Sequence, residues 1–328
     1  MEEYETLEVL FRNLPLTDIE TVLDDAYHRE GPERPPRNPL GVFKAYVAKH
    51  LLGIRTLREL ERKLWTDERL RNICDLEADE ASYGRSVLSR FPKRVGISRL
   101  QRILQGIRRT LVSRGVVKGE IAALDGSFIK AYSSINMKTR LPVSDKDARV
   151  GKSSHGYGLG YTLHLTVDTK SELPITYTVT PANVKETRVA RSILHRAKRI
   201  LERRIRRLVA DRGYSSDPLR AYARSIRVEP IIPYTNRQRP GLRGVLRIDK
   251  HLKPHGPTRL KRIYRKRSSI ERVFSRLEEL SFDKPRVRGI RNVTMHVQLC
   301  IITMLLNALV THNAGKPSKI RSLKYYAN

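Results

Sequence analysis

Acidic residues are scarce in this sequence, in which 34 Asp and Glu face 65 Lys and Arg among 328 residues. The imbalance is local: residues 1–117 hold 21 basic and 18 acidic side chains, whereas residues 118–328 hold 44 and 16. Such a surplus does not help folding, because like charges repel each other. It indicates either a device for solubility or, as we favour, a polyanionic partner for the second part of the chain.

Cysteine is also scarce, and long apolar runs are missing. Only Cys74 and Cys300 are present, which excludes a disulfide framework and any zinc-finger spacing. The N-terminus, MEEYETLEVLF, is acidic and lacks the order of a signal peptide. The longest apolar stretch, residues 297–310, is too short to span a bilayer. We therefore expect a soluble protein of the cytoplasm, associated with the nucleoid and not with a membrane.

The first third of the chain shows only helical periodicity. Apolar residues recur at helical spacing in residues 3–30, 40–52, 57–65 and 98–113, and Ser98 is the expected N-cap of the last helix. No strand pattern occurs before residue 118. We therefore predict an all-helical N-terminal domain over residues 1–117, which serves either DNA binding or dimerisation.

From residue 118 the pattern changes to alternating strands and helices. The expected strands are residues 121–124, 161–167, 173–180, 207–210 and 228–233, and the expected helices are residues 184–201, 218–225, 259–280 and 292–310. The first strand is expected to end in a turn at Asp125-Gly126-Ser127, and residues 136–160 and 235–258 are expected to be loops. This order predicts an α/β fold over residues 118–312, with a mixed central sheet flanked by helices as in the RNase H-like fold. A basic tail covers residues 313–328.

Three acidic residues in this basic region form a candidate metal site. Asp125 and Asp211 each follow an apolar strand, so neighbouring strands of one sheet would place them side by side. Glu271 lies at the edge of the apolar face of the helix predicted over residues 259–280. Carboxylates crowded in this way need a compensating cation. Mg²⁺ fits, and two ions about 3.5–4 Å apart promote in-line phosphoryl transfer.

Each acid also has an ordinary structural interpretation. Asp-Gly is a common turn dipeptide, so Asp125 could belong to a turn. Asp211 could be a turn residue or a helix cap. Glu271 stands among many basic residues and could be a surface salt-bridge partner. The combination of two strand-end acids and one helical acid in an acid-poor region favours the metal site.

Several segments resemble the DDE transposases of bacterial and archaeal insertion sequences. ALDGSFIKAYSS (123–134), LVADRGYSSDPL (208–219) and YRKRSSIERVFSRLEE (264–279) resemble the segments that hold the three family acids, here Asp125, Asp211 and Glu271. The third segment fits the signature Tyr-x2-Arg-x3-Glu with Tyr264 and Arg267. The resemblance extends upstream to the helical N-terminal region. It departs at Glu278, where the family often has a lysine, and Arg276 and Lys284 are candidates for the same phosphate contact.

The resemblance implies a fold, a reaction and a set of ligands. Asp125, Asp211 and Glu271 would be ligands of Mg²⁺ or Mn²⁺, with two ions expected. The enzyme would cut the ends of an insertion sequence and transfer the resulting 3′-OH to target DNA. Tyr264, Arg267, Arg212 and Arg276 are the candidates for contacts with double-stranded DNA, although Tyr264 could simply pack and Arg267 could pair with Glu271. A homodimer is expected, because two ends must be handled.

Two alternatives to this function remain open on the sequence. The first is a metal-dependent nuclease of the same fold, which would cut DNA without joining it. The second is an inactive copy that binds DNA through its basic surface.

Overall fold

The structure is a computed structural model that describes most of the chain. The described residues are 2–14, 16–27, 38–136, 138–139, 141–153, 156–202, 204–234 and 258–323. They form two compact units, residues 1–111 with 276–328, and residues 112–275. The division into residues 1–117, 118–312 and 313–328 stays a prediction, and these units differ from it by grouping residues 276–312 with the N-terminal helices. The predicted loop 235–258 lies outside the described residues up to residue 257.

The first unit is helical, as predicted. Its helices are α1 (Glu2–Arg12), α2 (Leu16–Tyr27), α3 (Pro39–Leu51), α4 (Leu57–Thr66), α5 (Glu68–Ile73), α6 (Glu80–Tyr83) and α7 (Arg85–Ser113), with the C-terminal α12 described below. Thr56 caps α4 by accepting a hydrogen bond from the Glu59 amide at 3.0 Å. The helix predicted over residues 98–113 is present. The range of α7 consists of two helices joined across Gly96, whose φ of 76° and ψ of 165° are not helical, so the second helix begins just after this glycine and close to the predicted N-cap Ser98.

The C-terminal helix α12 (Ile290–Asn313) packs against α3 in this unit. It is long and apolar enough to cross a membrane, but 89% of its most apolar window is buried inside the protein. Cys300 is a buried free thiol. The neighbouring rings of His50 and His296 bond to the backbone carbonyls of Leu280 and Ser281 at 3.0 and 2.9 Å. These polar groups are therefore satisfied within the core.

The second unit is built on one six-stranded mixed sheet. Its strands are β1 (Ile121–Lys130), β2 (Arg149–Ser153), β3 (Gly156–Asp168), β4 (Leu173–Pro181), β5 (Arg207–Ala210) and β6 (Glu229–Ile231). The order is β2-β3-β1-β5-β6, and β4 also pairs with β3. β1 is antiparallel to β3 and parallel to β5, which is parallel to β6. This is the RNase H-like arrangement that the sequence predicts.

Two strand predictions are wrong in their boundaries. β1 does not turn at Asp125-Gly126-Ser127 but continues to Lys130, because residues 122–130 pair with β3 along their whole length. The predicted loop 136–160 contains β2 and the beginning of β3, which pair with each other from Arg149 to Gly160. The glycines of this stretch hid the strands, since glycine is depleted in strands generally.

Three helices pack on the sheet. α8 (Glu186–Ile200) packs on β3 and β4, α9 (Asp217–Ser225) packs on β6, and α10 (Thr258–Arg265) packs on β5 and β6. α11 (Ser268–Glu279) follows α10 directly. The single helix predicted over residues 259–280 is therefore wrong: the chain forms a turn at Lys266 and Arg267 between two helices.

Candidate active site

Asp125 and Asp211 lie at the same edge of the sheet. The parallel pairing of β1 and β5 ends at Leu124 and Ala210, and each aspartate is the next residue. Beyond this point β1 pairs only with β3, whereas the chain after β5 turns into a short 3-10 helix (Arg212–Tyr214). The two aspartates are thus neighbours because their strands are, as the sequence predicts.

The two carboxylates differ in their surroundings. Asp125 is largely buried, and this burial raises the pKa of its carboxyl group to about 6, with Asp211 and Glu271 adding to the rise. The Gly126 amide donates a hydrogen bond to Asp125 at 2.9 Å and opposes the rise. Asp211 is exposed. Asp125 therefore bears most of the desolvation, and a nearby cation favours its ionised form.

Arg267 connects the first and third acids. Its Nη1 donates to Asp125 Oδ2 at 2.7 Å, and its Nη2 donates to Glu271 Oε1 at 2.6 Å. The turn between α10 and α11 places the guanidinium there, whereas Glu271 lies in the first turn of α11. The pairing of Arg267 with Glu271 that the sequence leaves open is therefore present, and it extends to Asp125.

α11 is oriented by burial on one face and by an ion pair on another. Ile270, Val273 and Leu277 are fully buried, as their spacing predicts. Arg272 donates to Glu172 Oε1, at 2.9 Å from Nε, in the turn between β3 and β4. Because the buried face and this ion pair fix the rotation of the helix, Glu271 points toward the edge where Asp125 lies.

The other residues predicted to contact DNA have different positions. Burial raises the pKa of Tyr264, Arg267 opposes the rise, and the charges of Asp211 and Asp125 add to it. Arg212 is exposed and follows Asp211 in the chain. Arg276 donates to the Arg321 carbonyl at 3.2 Å within the helical unit. The structure thus brings Tyr264 and Arg267 to the site.

Glu186 belongs to the same cluster, and the sequence gives it no role. It is the first residue of α8, and a Cβ atom built on Gly213 would lie 1.8 Å from its Oε2. Burial raises the pKa of Glu186 to about 7, and Asp125 and Asp211 raise it further. The pattern Asp-x-Gly after β5 is the one available signal, because it leaves room for a side chain from another segment.

A series of buried, hydrogen-bonded side chains includes Tyr214, which lies in the turn that follows Asp211. The Tyr214 hydroxyl bonds to His164 Nδ1 at 2.9 Å, and His164 Nε2 bonds to Thr180 Oγ1 at 3.0 Å. Burial lowers the pKa of His164 to about 4, so the ring is neutral at pH 7. Burial also raises the pKa of Tyr214, with Glu186, Asp125 and Asp211 adding to it. These hydrogen bonds support the turn after β5, and His164 is a fully buried residue of β3.

The candidate site contains more acidic than basic side chains. Asp125, Asp211, Glu271 and Glu186 converge, and Arg267 forms ion pairs with two of them. Carboxylate oxygens are the donors that hard divalent cations prefer in proteins. The cluster can therefore hold such cations at an edge of the sheet that remains partly open to solvent.

Comparison with known proteins agrees with this geometry. Residues 118–307, more than half of the chain, match the family described as "Transposase DDE domain", and residues 2–94 match "Transposase domain (DUF772)". Two solved structures are also similar. A piggyBac transposase synaptic complex with hairpin DNA has 10% identity and a TM-score of 0.43, over 99% of this chain and 80% of that chain. A pre-cleavage Mos1 transpososome has 11% identity and a TM-score of 0.23, over 78% of this chain and 82% of that chain.

At these TM-scores the two likenesses add nothing to the assignment, which rests on the match over the catalytic region. The chain therefore belongs to the DDE transposases, enzymes that cut and move DNA with the help of divalent metal ions.

Proposed function

We propose that Asp125, Asp211 and Glu271 are the ligands with which this transposase holds its metal, as two ions of Mg²⁺ or Mn²⁺. The observation that supports this assignment is the convergence of the three side chains from β1, the end of β5 and α11. They lie far apart in the sequence, and the parallel register of β1 and β5 together with the Arg267 contacts brings them together.

The donor set fits divalent cations. All three acids offer oxygen ligands, and the burial of Asp125 makes its charged form costly without a nearby positive charge. When bound, such ions activate an attacking hydroxyl and stabilise charge on the phosphate oxygens. The protein's own part is to fix the carboxylates, which it does through the sheet register and the Arg272–Glu172 contact.

Positively charged and aromatic side chains beside the acids would hold the DNA. Arg267 has a fork of donors that suits a phosphate, and Tyr264 can stack on a base or donate a hydrogen bond. Arg212 is exposed next to Asp211, so it can reach the same backbone. Arg276 is a further phosphate contact outside this cluster. The net charge of residues 118–328 adds long-range attraction for the duplex.

The reaction would run in two steps at this one site. Water cuts the strand at the end of the element and frees a 3′-OH, which then attacks a phosphate of the target DNA. Two ends must be handled in one event, so we propose a homodimer.

The basic chain would reside in the cytoplasm with the nucleoid, where its substrate is.

The test uses purified full-length protein, labelled duplexes that end in the element's own terminal sequence, and a supercoiled target plasmid. Asp125→Asn, Asp211→Asn and Glu271→Gln are each expected to lower cleavage and joining by more than about a hundredfold with Mg²⁺ or Mn²⁺, while duplex binding persists. Glu120→Gln is the control, because this exposed acid lies at the start of β1, away from the cluster.

Two results would contradict the proposal. If Asp211→Asn cleaves DNA at the rate of the parent protein, Asp211 is not a metal ligand. If the parent protein gives cut ends but no joined products, it is a nuclease and does not carry out strand transfer.

A further inference from the structure

The carboxylate of Glu186 lies between the residues that follow the two aspartates. A Cβ atom on Gly213, two residues after Asp211, would be 1.8 Å from Glu186 Oε2. A Cβ atom on Gly126, directly after Asp125, would be 3.7 Å from Oε1. Both oxygens of Glu186 therefore lie near the place where the parallel pairing of β1 and β5 ends.

Glu186 reaches this position from the N-terminus of α8. Lys185 is the N-cap of the helix and forms no side-chain capping bond, and Glu186 is the first helical residue. The positive end of a helix dipole favours a carboxylate in the first turn. The fold therefore supplies partial compensation for an acid that is placed beside two others.

Glu186 has no partner that would explain its position as a structural contact. Among the residues that the structure describes, its side chain takes part in no hydrogen bond or ion pair, and its one cationic neighbour is Lys152, which acts only at longer range. Arg267 forms its ion pairs with Asp125 and Glu271. The negative charges of Asp125 and Asp211 both act on the Glu186 carboxylate.

We propose that Glu186 is a fourth carboxylate of the metal centre, which shares with Asp211 the binding of a divalent cation. This inference rests on the proposed function of Asp125, Asp211 and Glu271. The proposal also explains the glycine at position 213, because any side chain there would displace the Glu186 carboxylate. Glu186 is then a ligand of the metal, and the other three acids keep their roles.

The test measures metal binding directly, with the full chain and without DNA. Mn²⁺ affinity is determined by calorimetry for the parent protein, Glu186→Gln and the control Glu120→Gln. Glu186→Gln is expected to bind Mn²⁺ about tenfold to a hundredfold more weakly, while Glu120→Gln binds as the parent does. Thermal unfolding in EDTA shows that each variant is folded. A Glu186→Gln affinity within twofold of the parent value would overturn the inference.

A second variant separates a metal ligand from a residue that only supports the turn. Gly213→Ala keeps Glu186 but moves its carboxylate, and the clash is with the far end of a flexible side chain, so folding is preserved. Gly213→Ala is expected to weaken Mn²⁺ binding as Glu186→Gln does, and the double variant is expected to be no weaker than either single variant. Additive losses would show that the two residues act separately and would contradict the inference.

Asp211→Asn distinguishes the failure of this inference from the failure of the proposed function. If Asp211→Asn loses Mn²⁺ binding and Glu186→Gln keeps it, only the fourth carboxylate is refuted. If both variants bind Mn²⁺ as the parent protein does, the metal site itself is refuted.

Discussion

Arg267 donates a hydrogen bond of 2.7 Å to Asp125, a residue 142 positions earlier in the chain. The same guanidinium reaches Glu271 at 2.6 Å with its second nitrogen. A single cation thus joins the strand-borne acid to the helix-borne acid. Because the proposed metal ion would use the same oxygens, Arg267 would stabilise the acids and at the same time compete for them.

Removing this guanidinium should therefore have opposite effects on stability and on metal affinity. Arg267→Gln leaves Asp125 and Glu271 without their partner, so we expect a loss of about 1–3 kcal/mol in the free energy of unfolding in EDTA. The acids also lose a competing charge, so Mn²⁺ should bind about threefold to tenfold more tightly. Calorimetry and urea unfolding measure the two quantities.

DNA cleavage should fall in the same variant, because the proposed phosphate contact is lost. Arg267→Lys is the matched control: it keeps the charge but cannot bond to two carboxylates through a planar fork, so intermediate values are expected. If Arg267→Gln binds Mn²⁺ more weakly than the parent protein, Arg267 is part of the support for the metal and not a competitor.

The raised pKa values of Asp125 and Glu186 predict how pH acts on the metal-free protein. Their folded values are about 6 and about 7, against unfolded values of 3.8 and 4.5. A carboxyl group with a raised folded pKa contributes stability below its unfolded pKa and loses that contribution as pH rises through the folded pKa. The metal-free protein should therefore lose stability at these groups as pH rises from about 4 to about 7.

Thermal unfolding in EDTA between pH 5.5 and 8 tests this sign. The double variant Asp125→Asn/Glu186→Gln lacks both groups, so its Tm should exceed that of the parent protein by an amount that grows with pH, to on the order of 5 °C at pH 8. With excess Mg²⁺ the parent protein should recover the difference. A gap that shrinks as pH rises would show that the two groups are ionised at no cost in the metal-free fold.

The positions of Asp125 and Asp211 were predictable because the parallel-paired parts of β1 and β5 are short apolar runs, and each aspartate directly follows its run. β5 was predicted with its observed limits, and Asp211 follows it. β1 was predicted too short, because its second half pairs only with β3 and is mostly half-buried. An antiparallel partner distant in sequence leaves no apolar run to recognise.

Glu186 and the turn at Arg267 were not predictable, for a related reason. The first turn of a helix is an ordinary place for a glutamate, so its sequence gives no sign that the carboxylate meets Gly213. The turn between α10 and α11 contains neither glycine nor proline at Lys266 and Arg267. This turn is stabilised by tertiary contacts instead: α10 packs on β5 and β6, and Arg267 forms its two ion pairs.

Gly160 is expected to be the glycine of β3 that tolerates substitution least. A Cβ atom there would lie 2.0 Å from the backbone oxygen of Ile129, which cannot rotate away. Gly160→Ala must therefore distort the pairing of β1 and β3, and we expect a loss of about 2–3 kcal/mol in the free energy of unfolding. Urea unfolding measures it.

Gly158→Ala is the control for this substitution on the same strand. Its Cβ atom would meet the Phe128 ring at 3.0 Å, and a side chain can move. A smaller loss, below about 1 kcal/mol, is expected. Equal losses at the two positions would mean that β3 tolerates no side chain here, whatever its neighbour.

Arg220 should be the arginine on which the turn after β5 depends most. It is 2% exposed, its Nη2 donates to Ser215 Oγ at 2.8 Å and to the Ile232 carbonyl at 2.7 Å, and it lies over the Tyr234 ring at 3.9 Å. Arg220→Met leaves those acceptors unpaired, so unfolding should become easier by about 2–4 kcal/mol. Cleavage should also fall, because Ser215 ends the turn that begins at Asp211.

The neighbouring Arg224 supplies the comparison, since it is exposed on the same helix, α9. Arg224→Met removes the same charge without burying an unpaired acceptor, and it should change the free energy of unfolding by no more than about 0.5 kcal/mol. Urea unfolding and cleavage of the labelled duplex give both readouts. If Arg220→Met and Arg224→Met are equally stable, the contacts of Arg220 with Ser215 and Ile232 do not hold the turn, and Asp211 must be positioned by β5 alone.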